Sequence, residues 1–363
     1  MTDLPVLKER LVGDHGYSVL AIAALIFFAM GFVTWLNGPL ISFVRVAFSL
    51  SEFSSFFIPL TFYFSFFLFS LPTSLLARRL GLKQGLALSV LLSALGIAIF
   101  GQFVAWRIYA GALTGLLVLG AGISLMQVVI NPLVSLLGPS DRAAQRIAVM
   151  GICNKMAGIT APIVLGILVM HNIGAVAEQA QTEKNPAIRE ALLNHFVQAL
   201  YVPYLAMAGI LVMIALIVTV APLPNLEAPV ILAGRGSQQR FFKPHLLVGF
   251  IAMFLYVGVE VMAADAIGTY GQGFGLPLDE TKFFTALTLS GMLIGYLMGF
   301  IIVPRFIKQE SYVQLSCLTG CFLTVMAYLT QGYASVFCVA LLGVTNAMVM
   351  PTVFPIAIRG AGI

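Results

Sequence analysis

Three charged residues interrupt apolar stretches long enough to cross a bilayer: Lys155 in GICNKMAGIT, and Glu260 and Asp265 in FLYVGVEVMAAD. A charge at membrane depth costs a few kcal/mol, so such residues face a cavity, an ion or one another. Two readings fit one ammonium and two carboxylates. One acid can take up a proton or a cation while the other pairs with Lys155, or the charges can form a structural ion pair that only ties two helices together. The two acids are five residues apart and differ by about 140° around a regular helix. Both can point into one cavity only if the helix breaks, and Gly258 and Gly268 flank them and permit that.

The uncharged polar residues in these segments are mostly amides. Gln127 and Asn131 are one turn apart in MQVVINPL and share a helix face. An amide donates and accepts, which suits sugar hydroxyls; it equally suits a hydrogen bond to a neighbouring helix. Asn154 precedes Lys155 and serves the same polar pocket. Thr34 and Asn37 bracket Trp35. An aromatic face edged by amides is what a hexose needs, but Trp is also enriched at the membrane interface. Asn346 is a further polar intrusion. Trp35, Asn37, Gln127, Asn131, Asn154 and Asn346 are thus the candidate substrate-binding residues. Glu260, Asp265 and Lys155 are the candidate cation-coupling or charge-pair set.

Other chemistries lack their residues. His15, His171, His195 and His245 fall in loops or at segment ends, so no histidine relay crosses the membrane. Cys153, Cys317, Cys321 and Cys338 show no metal-ligand spacing and read as small apolar helix residues. No Walker loop or serine-nucleophile elbow is present. We therefore expect no catalytic residue, no metal and no cofactor beyond a coupling proton or sodium ion.

Composition dictates the elements that carry these residues. Hydrophobic residues make up 60% of the 363 positions and charged residues 9%, against about 25% charged in a soluble domain. Too few charges exist to coat a water-facing surface, so the lipid bilayer is the main solvent. The net charge of +5 comes from residues in short loops and forms no patch, which argues against a nucleic-acid partner. Ten segments reach the ~20 apolar residues that a spanning helix needs: 18–41, 54–77, 84–104, 109–136, 147–170, 199–221, 246–270, 283–303, 313–330 and 334–357. They are too long for barrel strands, so the fold is an all-α polytopic bundle whose backbone is satisfied within each helix.

Of the 19 Lys and Arg residues, thirteen fall on one side of these segments, five on the other, and Lys155 within a helix. The positive-inside rule places the thirteen, and the N-terminus, in the cytoplasm. Residues 171–198 read as a polar external loop. Residues 222–245 read as a basic linker, punctuated by Pro and Gly, between a six-helix bundle (1–221) and a second bundle (246–363). Weak repeats lie six helices apart: NPLVSLLG with MPTVFPIAIRG, and ARRLGLK with PRFIK. A parallel six-helix repeat marks the two halves of a major facilitator transporter. On that reading the second bundle holds four of six helices, with two expected beyond Ile363. Gly291, Gly295 and Gly299 form a small-residue ladder suited to close helix contact.

The resemblance sharpens at GFVTWLNGPLISFVRVAF, GISLMQVVINPLVSLLGP, GICNKMAGITAPIVLG and FLYVGVEV. These resemble the fucose–proton and glucose/galactose transporter family of the major facilitator superfamily over nearly the whole chain. The resemblance implies two pseudo-symmetric six-helix bundles, alternating access and a monosaccharide substrate, in a bacterial cytoplasmic membrane protein that works as a monomer. Where the family has Leu-Asn-Asp in its first helix, this chain has Leu36, Asn37 and Gly38, so the usual coupling acid is absent. Gln127 and Glu260 match the glucose/galactose branch, and Asn154 matches the family's asparagine in the fifth helix. Lys155 and Asp265 stand where small or apolar residues are usual. The resemblance leads us to expect that Lys155 and Asp265 neutralise each other and leave Glu260 for coupling. The expected function is secondary transport of a glucose- or galactose-like sugar, driven by a cation. The alternatives are a passive sugar facilitator, a proton-coupled exporter of other small molecules, or a non-transporting sensor.

Overall fold

The computed structural model describes residues 16–136, 143–221, 244–303 and 305–358, and these are helices joined by short turns. The expected linker 222–245 lies almost entirely outside them. The first long apolar stretch forms α1 (Gly16–Thr34) and α2 (Asn37–Ala47), separated by a turn at Trp35 and Leu36. A short α3 (Glu52–Ser55) leads into α4 (Phe57–Ala105), whose 49 residues would extend about 74 Å if straight. That is more than twice a hydrocarbon core of roughly 30 Å. Gly81, with φ 75° and ψ 179°, breaks the helix.

The next helix, α5 (Tyr109–Leu136), shows that α4 folds back there. A Cβ on Gly120 would meet Ser65 and the carbonyl of Phe62, and one on Gly122 would meet the backbone nitrogen of Ser93 at 2.6 Å. Two positions on α5 only two residues apart thus touch residues nearly thirty apart on α4, which only a hairpin allows. Thr73 and Ser124 hydroxyls, 3.3 Å apart, close the same seam. The two arms of α4 are the expected second and third crossings.

After α6 (Ala143–Leu168), the expected external loop is largely helical: α7 (Ile173–Thr182) and the first third of α8 (Pro186–Val220) occupy it. The reason is local. Asn185 caps α8 by accepting the Ala187 N–H at 3.0 Å, and Pro186 takes the first turn, where no donor is needed. The last four expected segments are also more broken than expected. They comprise α9 (Pro244–Asp265), α10 (Ile267–Gly273), α11 (Leu278–Thr281), α12 (Phe284–Ile302), α13 (Gln309–Leu329), α14 (Gly332–Asn346) and α15 (Val349–Ile358). Among the described residues, nine spans are long and apolar enough to cross a membrane. One of them, Glu52–Ala105, is the hairpin, which restores the expected ten crossings.

Polar contacts sort the turns of the first six crossings into two ends. At one end Arg45 pairs with Glu52 at 3.2 Å, Arg107 pairs with Glu190, and the Tyr109 hydroxyl donates to the Ser54 carbonyl at 2.6 Å. At the other, Lys83 Nζ donates to the Ala221 carbonyl at 2.8 Å and Arg146 Nε to the Val134 carbonyl at 3.0 Å. Both cations cap helix C-termini, where unsatisfied carbonyls and the helix dipole favour positive charge.

The helices form two compact units. One takes in the described residues up to Met30, Leu40–Met150, and Ile167 through α8. The other takes in Gly31–Pro39, Gly151–Gly166 and everything described from Pro244 onward. In the second unit the glycine ladder works as expected. Cβ atoms on Gly291, Gly295 and Gly299 would meet, in turn, the Ala340 carbonyl, the Val344 carbonyl and the Met348 side chain, so α12 lies directly on α14 and the turn after it.

The break between α9 and α10 falls at Ala266, beside Gly268 and not at Gly258. Thr285 Oγ1 donates to the Ala264 carbonyl at 2.8 Å and Thr288 Oγ1 to the Ala263 carbonyl at 3.1 Å. In an unbroken helix those carbonyls would bond Gly268 and Ile267. Removing either donor leaves a buried carbonyl exposed to apolar surroundings. Thr288→Val should therefore lower stability by about 1 kcal/mol, read as a lower melting temperature in detergent with the helix content unchanged.

Candidate functional site

Seven of the nine singled-out residues lie in the second unit. The turn between α1 and α2 presents Trp35, with 5% of its surface exposed. It reaches α6 because both backbones are bare at the contact. A Cβ on Gly31 would meet the Asn154 backbone carbonyl, and one on Gly158 would lie against the indole ring. The indole N–H of Trp35 donates to Asn154 Oδ1 at 3.2 Å. Asn37 is buried and gives its side-chain N–H to the Thr34 carbonyl at 3.1 Å, so it closes the turn.

Lys155 extends from α6 across the face of Trp35, its Nζ 4.2 Å from the ring centroid. The same ammonium donates to Glu260 Oε1 of α9 at 2.9 Å, with both side chains largely buried. The cation is thus held by a carboxylate on one side and an aromatic quadrupole on the other, a desolvated geometry worth about 2 kcal/mol for the ring alone. Glu260, not Asp265, is therefore the acid at ion-pair distance from Lys155, which corrects the expected pairing. The helix is regular up to Asp265 and breaks only after it. The two carboxylates therefore keep their angular separation, and the one facing α6 is Glu260. Asp265 is itself buried, at 3% exposure.

Two tyrosines complete the surroundings of Glu260. Tyr256, one turn earlier on the same face of α9, and Tyr296 of α12 both lie close enough to interact with its carboxylate. The Tyr256 hydroxyl also donates to the Asn346 carbonyl at 3.1 Å. That bond ties α9 to the end of α14, where the helix breaks at Ala347 and Met348. The Asn346 side-chain nitrogen and the Thr34 hydroxyl are buried atoms with no hydrogen-bond partner among the described residues. Tyr256 is not among the residues singled out above, although its place one turn before Glu260 is a signal that could have found it. Tyr296 carried no such signal, because only the α12 ladder brings it in.

Gln127 and Asn131 belong to the first unit, exposed and one turn apart on α5. Among the described residues no group of three or more His, Cys, Asp or Glu side chains could hold a metal ion.

The Major Facilitator Superfamily pattern matches residues 23–362. The chain belongs to the Major Facilitator Superfamily. As a member of that family it is a multi-pass membrane transporter and not an enzyme. It is 27% identical over 357 residues to a glucose/galactose transporter of Brucella abortus, covering 96% of this chain and 82% of that one. It is 23% identical over 355 residues to the L-fucose-proton symporter of Escherichia coli K12, covering 94% and 80%. Among solved structures, the FucP transporter in its outward conformation superposes with a TM-score of 0.75 at 22% identity, covering 94% of this chain and 84% of that one. The xylose transporter XylE in an inward-open form superposes with a TM-score of 0.60 at 14% identity, covering 96% and 85%. Both share the superfamily fold.

Against that family background, Gly38 stands out. A Cβ there would collide with Thr285 Oγ1, the hydroxyl that holds the break after α9. The place where the resemblance puts a carboxylate is filled by a threonine from another helix.

Proposed function

We propose that the chain carries a monosaccharide of the glucose or galactose class across a bacterial cytoplasmic membrane by alternating access. The observation that supports this most is the near full-length likeness to the glucose/galactose and fucose transporters. The polar inventory agrees with it. Exposed amides at membrane depth, as at Gln127 and Asn131, belong beside water and not lipid. The buried amide of Asn346 and hydroxyl of Thr34 retain hydrogen-bonding capacity for a sugar hydroxyl. Trp35 has a narrower role than a stacking platform, because Lys155 covers its ring face; it anchors the ammonium.

The N-terminus lies in the cytoplasm on this reading, which places Lys83 and Arg146 and the helix ends they cap on the cytoplasmic side. The 1–221 and 246–363 bundles are the moving halves, joined by residues 222–245, and one chain suffices. Of the two modes available to such a carrier, gradient-driven and passive, the ion pair of Glu260 with Lys155 favours the passive one.

The test is counterflow in proteoliposomes loaded with unlabelled sugar, read against a panel of labelled monosaccharides. We expect saturable exchange of glucose or galactose and none of a disaccharide. Exchange of no monosaccharide would overturn the reading.

A further inference from the structure

We propose that Lys155 is a tethered cation that permanently occupies the ion site of Glu260, so that sugar flux through this carrier is not tied to a proton or sodium gradient. The proposal rests on the reading of the chain as a sugar carrier and specifies how that carrier is powered.

A carboxylate deep in a membrane carrier must be neutralised before the protein can reorient around it, because an uncompensated charge in a low dielectric is costly. When the neutralising partner is a proton or a metal ion, it enters from one face and leaves at the other. That exchange links sugar movement to the ion gradient. Here the neutralising group is an ammonium attached to α6. It lies 2.9 Å from Glu260 Oε1 and 4.2 Å from the centre of the Trp35 ring, with its side chain largely buried. Trp35 is fixed in turn by its hydrogen bond to Asn154 and by the bare backbone of Gly158. The site therefore carries its own counter-ion and exchanges nothing with either bath. Among the described residues, the charged and titratable groups around Glu260 include Lys155 from α6, Tyr256 from its own helix and Tyr296 from α12. Asp265 is the second acid of α9, and the variants below separate its contribution.

A tethered counter-ion has a consequence when it is removed. In Lys155→Gln, Glu260 stays buried without its counter-charge and recruits a proton or sodium ion from solution. The carrier then becomes ion-dependent, and Lys155→Gln/Glu260→Gln becomes independent again.

The experiment uses the full chain in proteoliposomes with glucose and galactose as probes. Counterflow is measured without an ion gradient, and accumulation under an imposed inward proton or sodium gradient. Wild type should exchange sugar without a gradient and accumulate none under either. Lys155→Gln should accumulate sugar severalfold under one of them, and the double variant should lose that accumulation. Lys155→Arg, which keeps the charge, should remain as indifferent to gradients as wild type. Accumulation by wild type under either gradient would overturn the proposal, whether Glu260 or Asp265 were responsible. So would a Lys155→Gln variant no more ion-sensitive than wild type. A second readout needs no sugar: the melting temperature of purified Lys155→Gln should rise with sodium or on acidification, and that of the double variant should not rise in the same way. Equal responses of the two would refute the tethered cation even if the chain transported no sugar at all. Absence of sugar exchange alone would instead refute the sugar reading.

Discussion

Glu260→Ala should be the most damaging single substitution at the site, lowering stability by about 3–5 kcal/mol, because it leaves the Lys155 ammonium buried without its carboxylate. The Trp35 face alone cannot compensate, since a desolvated cation–π contact is worth about 2 kcal/mol. Tyr256 and Tyr296 would be left facing a cation and an empty volume. The loss should appear as a melting temperature several degrees lower and as sugar exchange near background. The pair is different from its parts. Replacing both members with apolar side chains of similar size removes both desolvation costs together. Lys155→Met/Glu260→Leu should therefore recover most of the stability that Glu260→Ala loses. Equal melting temperatures for Glu260→Ala and wild type would mean that the 2.9 Å contact contributes nothing.

The second large effect is expected at Gly31, far from any charge in sequence. Its α-carbon faces the Asn154 backbone, and a Cβ would lie 2.8 Å from the Asn154 Cα and closer still to its carbonyl oxygen. Neither atom can rotate away, so Gly31→Val must separate α1 from α6. Overpacking of this kind costs roughly 1–3 kcal/mol. The functional cost should be larger than the stability cost. Trp35 lies one turn on, and moving it breaks the indole bond to Asn154 and uncovers Lys155. We expect sugar exchange to fall sharply while the protein still purifies as a folded species. Gly209→Val is the control, because a Cβ there meets nothing within 4 Å.

Lipid made the ten crossings legible. Each must be a long apolar helix, and Gly81, set among the charges of RRL and LKQ, marks a turn by its neighbours alone. The breaks at Trp35 and Ala347 were not legible, and Gly268 only permits the one at Ala266, because what stabilises them is distant. Thr285 and Thr288 take the carbonyls that the helix after Ala263 and Ala264 would otherwise use, and nothing near Ala266 in sequence announces them. The charged residues were legible, since three charges in hydrocarbon-length segments are conspicuous. Their pairing was not. Sequence places Glu260 and Asp265 on different faces of one helix, but which face meets Lys155 depends on how α6 and α9 pack. The helical character of residues 173–198 was hidden by their polarity, although Asn185-Pro186 is a helix start by its chemistry.

On the proposed reading, the Trp35–Lys155–Glu260 cage is part of the working machinery of a sugar carrier. The chain has two tryptophans, Trp35 and the exposed Trp106. Trp106→Phe therefore leaves Trp35 as the sole indole reporter, with an ammonium on its ring face. Titrating that protein with the monosaccharide it exchanges should shift Trp35 emission saturably, with half-saturation matching the KM of counterflow, and a sugar that is not exchanged should leave it unchanged. Vesicles that exchange sugar while Trp35 emission stays flat would contradict the claim.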